Sequence, residues 1–263
     1  MPHATLRDGA KLYYETHGSG PALMLVTGLG GVATFWEPHV KRFAERFTVV
    51  LHDHRGCGRS ELSRIDYSVA QMADDALQLM DALGIAKAHY VGHSTGGAMG
   101  QAIALDHRER LDRLVLCGTW ARTDAYFRRL FEVRATVLRE LGPEGYLKSS
   151  ALALNMPEWV RDNDAALLAA EAQAAATIPV SDIVLSRIAA IVAHDLRDRL
   201  HAVTTPTLAI GARDDMVTPA YFTEELGRLI PGCRTVVLPR GGHLFPNVDP
   251  DAYGRILLDF LTT

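Results

Sequence analysis

The chain has 263 residues, 48% of them hydrophobic and 22% charged, and a formal net charge of −4, which suits one large globular unit with a sizeable core, with or without an insertion. So mild a charge, without a long Lys or Arg run, excludes an electrostatic nucleic-acid binder, and no apolar run reaches the roughly 18 residues of a spanning helix. Three scattered cysteines, Cys57, Cys117 and Cys233, form neither a metal spacing nor a disulfide framework; with no leader-like apolar segment in residues 1–11, a cytoplasmic protein is expected.

The first element reads as a hairpin. Residues 4–7 and 11–16 are β-prone and flank Asp8-Gly9, a dipeptide that favours the positive φ of a tight turn. Residues 22–27 form an apolar run bounded by glycines, the pattern of a strand buried on both faces. A helix is predicted over 36–47 and a strand over 48–51. Ser68 can cap a helix running to about Leu83, with Val69, Met72, Ala73, Ala76, Leu77 and Met80 on one face and Asp74, Asp75 and Gln78 off it. Next come a strand over 87–92, a small-residue helix over 96–107 and a strand over 114–117. Strands over 207–210 and 235–238 and a helix over 251–261 close the chain. Alternating strands and helices predict a parallel sheet with helices on both faces. Only residues 121–200 break the rhythm: they read as helical throughout, punctuated by Gly142-Pro143, Pro157 and Pro179. That gives a core of residues 1–120 and 201–263, with 121–200 as a helical insertion.

The most specific motif is Gly92-His93-Ser94-Thr95-Gly96, a Gly-x-Ser-x-Gly sequence between a strand and a helix. A nucleophilic serine there sits on a sharp, strained turn, so the positions two before and two after it must be small. The helix that starts after it favours negative charge beside Ser94.

With this elbow, the glycine-rich Thr27-Gly28-Leu29-Gly30-Gly31 segment and the stretch from His52 to Ser60, the chain resembles the α/β-hydrolase superfamily. It looks most like the group of 3-oxoadipate enol-lactonases, aminoacrylate hydrolases and carboxylesterases. The resemblance implies an α/β-hydrolase fold: a mostly parallel, twisted sheet with helices on both faces and a helical cap insertion. It also implies no cofactor, no metal and a small-molecule substrate, with no nucleic-acid or membrane partner; a homo-oligomer stays open.

A serine hydroxyl needs a base, and the base an orienting carboxylate. Of eleven histidines, His243 stands in Gly241-Gly242-His243 after the last strand, where the family places its base. By the same resemblance, the acid belongs to the loop after residues 207–210, four residues before a proline. Counting back from Pro219 gives Asp215, and counting forward from Gly211 gives Asp214; Asp215 is favoured. Two backbone N–H groups are expected to form the oxyanion hole: Thr95, after the nucleophile, and, by resemblance, Leu29. Thr27 stands where many members carry His. Arg55, Gly56 and Gly58 read as bracing and turn residues. At the start of the insertion, Trp120, on its border, and Arg122 and Tyr126, within it, are candidate substrate-binding residues. Arg128, Arg129 and Arg134 join Arg122 as candidates to fork a substrate carboxylate.

The reaction expected is cleavage of a carboxylic ester or lactone, with a small amide or enamine-type acid derivative in range, through an acyl-enzyme on Ser94. The same fold also carries C–C bond hydrolysis, perhydrolysis and acyl transfer, or plain binding without catalysis.

Overall fold

The computed structural model describes residues 2–177 and 181–263, so Pro179 lies outside the described residues. Strands β1 (His3–Thr5) and β2 (Lys11–His17) pair antiparallel. Gly9 sits in the turn between them at φ +90°, and Asp8 Oδ1 accepts the Ala10 N–H. β1 is shorter than predicted because the Leu6 N–H already closes the turn on the Ala10 carbonyl.

The remaining strands follow: β3 (Ala22–Val26), β4 (Thr48–His52), β5 (Ala88–His93), β6 (Leu111–Cys117), β7 (Thr207–Ala212) and β8 (Arg234–Leu238), the last of them a partly exposed edge. The eight strands lie in the order β1-β2-β4-β3-β5-β6-β7-β8, with β2 antiparallel to β4 and β3 to β8 parallel. The apolar runs of β3 to β7 are continuous because each of these strands faces two cores. Met24, Val26 and Tyr90 point to one, shared with α2 (Val69–Ala82), α3 (Thr95–Asp106) and α8 (Ala220–Leu229). Leu23, Leu25 and Val91 point to the other, shared with Phe43 of α1 (Glu37–Ala44) and Tyr253 and Leu257 of α9 (Pro250–Leu261).

Two helices depart from expectation. The helix predicted over 36–47 is a short turn, Ala33–Trp36, followed by α1. Between β7 and β8, where no helix was expected, Pro219 precedes α8, which buries Phe222 and Leu226. Helix α2 begins as expected, with Ser68 Oγ accepting the Gln71 N–H. Its Asp75, however, is buried, held by Arg55 Nε and Nη2 at 3.0 and 2.9 Å. A pattern of apolar residues cannot show a carboxylate whose partner arrives from another segment.

Between β6 and β7 lie α4 (Ala125–Leu154), α5 (Pro157–Asp162), α6 (Asp164–Thr177) and α7 (Ser181–Val192). Helix α4 breaks at Gly142 (φ 68°, ψ −169°), just before Pro143. No helix among the described residues is long and apolar enough to cross a membrane.

Candidate active site

Ser94 lies between the end of β5 and the start of α3 at φ 54°, ψ −116°, the only positive φ outside glycine among the described residues. The flanking glycines have a steric cause. A Cβ on Gly92 would lie 2.3 Å from the Gly96 carbonyl oxygen, and one on Gly96 2.4 Å from that of Val26. No side chain fits either gap, so the strained serine is held by its neighbours' backbones. The Ser94 N–H donates to the Cys117 carbonyl at 2.8 Å, tying the elbow to the end of β6.

The loop after β3 passes close above the serine. A Cβ on Gly28 would lie 3.0 Å from Ser94 Cβ. Leu29 follows directly, so its N–H and that of Thr95 lie on segments packed against Ser94; among the described residues neither N–H has a partner within the chain. The Gly31 N–H closes a turn on the Gly28 carbonyl at 3.1 Å, and the His54 N–H donates to the Gly31 carbonyl at 2.7 Å.

His243 Nδ1 donates to Asp215 Oδ2 at 2.8 Å, which leaves Nε2 as the bare nitrogen. Asp215 Oδ1 accepts the N–H groups of Val217 and Thr218 at 2.7 and 2.9 Å, and Thr218 Oγ1 donates to Oδ2 at 2.7 Å. Burial opposes ionisation of Asp215, but His243 and the Thr218 donors outweigh it and hold the carboxyl below its ordinary range. The structure thus brings Asp215 to the imidazole. Asp214 accepts the Gly242 N–H at 2.9 Å and so steadies the loop that carries His243.

His93 adds a contact that the sequence reading did not assign. It is buried, its Nε2 donates to the His243 carbonyl at 2.8 Å, and the two rings lie 4.7 Å apart. Burial, reinforced by His243, pushes His93 down to about 3, so it stays a neutral donor. Ser94, Asp215 and His243 are all buried, and no hydrogen bond joins the Ser94 hydroxyl to His243 among the described residues. Such bonds are often long before substrate arrives. The end of α4 closes over His243: the Leu154 carbonyl accepts the His243 N–H at 2.9 Å.

The candidate substrate-binding residues are placed differently. Trp120 is fully buried, packing on Phe127 at 4.5 Å and His194 at 5.7 Å. Arg122 is exposed and bridges through its backbone to Asp195, and Arg128 and Arg129 are exposed as well. Arg134 is buried but engaged: Nη2 donates to Tyr146 Oη and Ser150 Oγ, both at 3.0 Å, clasping the two halves of α4. Only Tyr126 touches the site's frame, donating to the Met216 carbonyl at 2.5 Å beside Asp215. A buried arginine that the sequence reading passed over, Arg187 of α7, reaches the Leu29 carbonyl at 3.2 Å. Its signal was present: Ile183, Arg187 and Ile191 share one helical face, an apolar stripe with a guanidinium in it.

A serine on a strained turn after a parallel strand, with an Asp–His pair carried by later strands, defines the α/β-hydrolase class. The family profile described as "alpha/beta hydrolase fold" matches residues 21–250, and the chain belongs to that family. A protein of Azorhizobium caulinodans named "Putative carbamate hydrolase RutD" is 40% identical over 260 residues, covering 99% of this chain and 98% of its own. Among solved structures, the enol-lactonase of Burkholderia xenovorans superposes with a TM-score of 0.91 at 29% identity, covering 100% of both chains. A thermophilic esterase of Thermogutta terrifontis gives 0.87 at 27% identity, covering 99% of this chain and 97% of its own. The protein is a hydrolase.

Proposed function

We propose that this hydrolase cleaves a small carboxylic ester or lactone through an acyl-enzyme on Ser94. The observation that carries the reading is the elbow itself: Ser94 alone, outside glycine, holds a positive φ among the described residues, at the start of α3 and against Gly28. Strain of about 1–3 kcal/mol persists only where the surroundings impose it, and here it presents a hydroxyl.

Ser94 Oγ attacks the carbonyl carbon while His243 Nε2 takes its proton. Asp215 holds the imidazole's tautomer through Nδ1 and stabilises the imidazolium that forms. Negative charge gathers on the former carbonyl oxygen, where the N–H groups of Leu29 and Thr95 meet it. The intermediate collapses, and the imidazolium protonates the leaving oxygen. Water, deprotonated by His243, then releases the acid and restores Ser94. Residues 121–200 act as a cap over a core of 1–120 and 201–263, with Tyr126 and Leu154 at its contact with the catalytic loops.

A second reading follows from the name of the Azorhizobium relative: the scissile group is a carbamate. The same residues serve it, since Ser94 again attacks an acyl carbon and His243 protonates the departing group. Rates on short-chain esters, lactones and carbamates compared side by side separate the two.

Ser94→Ala is expected to abolish turnover of a chromogenic short-chain ester while the melting temperature stays that of the parent. Undiminished turnover in the folded variant would sink the assignment.

A further inference from the structure

Arg187 is 1% exposed, at the middle of α7, and among the described residues it makes no ion pair. Its partners are all neutral. Nη1 donates to the Arg55 carbonyl at 3.1 Å, and Nη2 to the Leu29 carbonyl at 3.2 Å and to His54 Nδ1 at 3.0 Å. The Tyr67 ring lies 5.4 Å from the guanidinium carbon, and the Nε–H has no partner. Burial, with His52 and Arg187 beside it, holds His54 well below its ordinary range, so its Nδ1 stays an acceptor. A buried guanidinium without a carboxylate is costly, and stability alone does not call for one.

Its helix is anchored on the far side of the same loops. Ser186 Oγ accepts the Tyr67 N–H at 3.0 Å and donates to the Ile65 carbonyl at 3.1 Å. Ile183 fills the space above Gly56, where a Cβ would lie 2.7 Å from its Cγ2. Arg187 therefore projects from a fixed platform onto the Leu29 carbonyl, one peptide beyond the Leu29 N–H.

We propose that Arg187 is a positioning residue for the oxyanion loop. It fixes the Leu29 backbone so that the Leu29 N–H stays aimed at the developing oxyanion. It also sets a positive charge behind that loop, left uncompensated until the oxyanion forms. The inference rests on the reading in which Leu29 stabilises an oxyanion raised by Ser94.

The test compares Arg187→Met and Arg187→Lys with the parent. Three quantities are measured: kcat and KM on a chromogenic ester, the inhibition constant of an alkylboronic acid, which forms an anionic tetrahedral adduct on Ser94, and that of the matching planar carboxamide. Losing a whole oxyanion donor costs about 10²–10³ in kcat, so losing its brace is expected to cost about 10–100-fold in Arg187→Met. KM should stay within about threefold, and boronate affinity should fall in step with kcat/KM while carboxamide affinity holds. Arg187→Lys keeps the charge but not the three-way fork, so it should recover part of the loss. It is read by the same criteria if Arg187→Met does not fold. A folded variant with kcat within about threefold of the parent, or with both inhibitors weakened equally, overturns the brace alone. An ester assay in which Ser94→Ala matches the parent overturns the underlying reading, and the brace with it.

Discussion

Two neighbouring aspartates, Asp214 and Asp215, are separated by their hydrogen bonds. Asp215 Oδ2 meets His243 Nδ1, with Thr218 adding two donors to the same carboxylate. Asp214 holds only the Gly242 N–H. An amide at Asp215 removes the acceptor that fixes the tautomer, so Asp215→Asn is expected to lower kcat by about 10²–10⁴. Asp214→Ala loosens one loop bond and should cost less than about tenfold. Steady-state kinetics of both variants on one ester check this; equal losses would mean that the two share the role. The sequence narrowed the candidate acid to this pair and leaned to Asp215, but spacing alone could not finish the choice. Which carboxylate faces the imidazole depends on how the loop leaves β7, and that is fixed by contacts with β8 and the His243 loop.

At the scale of elements, glycine carries the information. Within a helix, Gly→Ala ordinarily stabilises by about 1 kcal/mol. At Gly96 the sign reverses, because the new methyl would lie 2.4 Å from the Val26 carbonyl oxygen and 2.7 Å from that of Thr27. Gly96→Ala must push β3 and its following loop away from α3, so a loss of about 2 kcal/mol is expected, together with loss of activity. Gly30→Ala is the control: its Cβ would meet nothing within 4 Å. Thermal melts of both variants check the contrast, and an unchanged Gly96→Ala would contradict it. The strands of the sheet and the elbow were legible because continuous apolar runs and obligatory glycines are local signals. The burial of Asp75 and the partners of Arg134 and Arg187 were not, although the apolar stripe around Arg187 signalled its burial. A charged residue reads as solvated until its partner is known, and here the partners come from other segments or lie across the break in α4.

Across the whole molecule, buried imidazoles couple stability to pH. Burial pushes His52 and His194 down to about 4 and His93 to about 3, and holds His54 well below its ordinary range. In the unfolded chain each titrates near pH 6.5. Between that value and the folded one, the unfolded state binds protons that the native state refuses, so stability rises with pH across this window. Acidification from about pH 6.5 toward 4 should therefore cost about 1.4 kcal/mol per pH unit for each such histidine. Melting temperatures taken from pH 7.5 down to 4.5 should fall steeply below pH 6.5, and a flat profile would contradict the buried neutral state.

The proposed mechanism runs through one covalent event, an acyl-enzyme on Ser94, and its product can be weighed. Quenching the enzyme during turnover of a slow-deacylating ester and measuring its intact mass should show one added acyl group. Peptide mapping should place that group on Ser94, and Ser94→Ala should never acquire it. An acyl group found on another residue, or full turnover with no adduct at any time, would contradict the account.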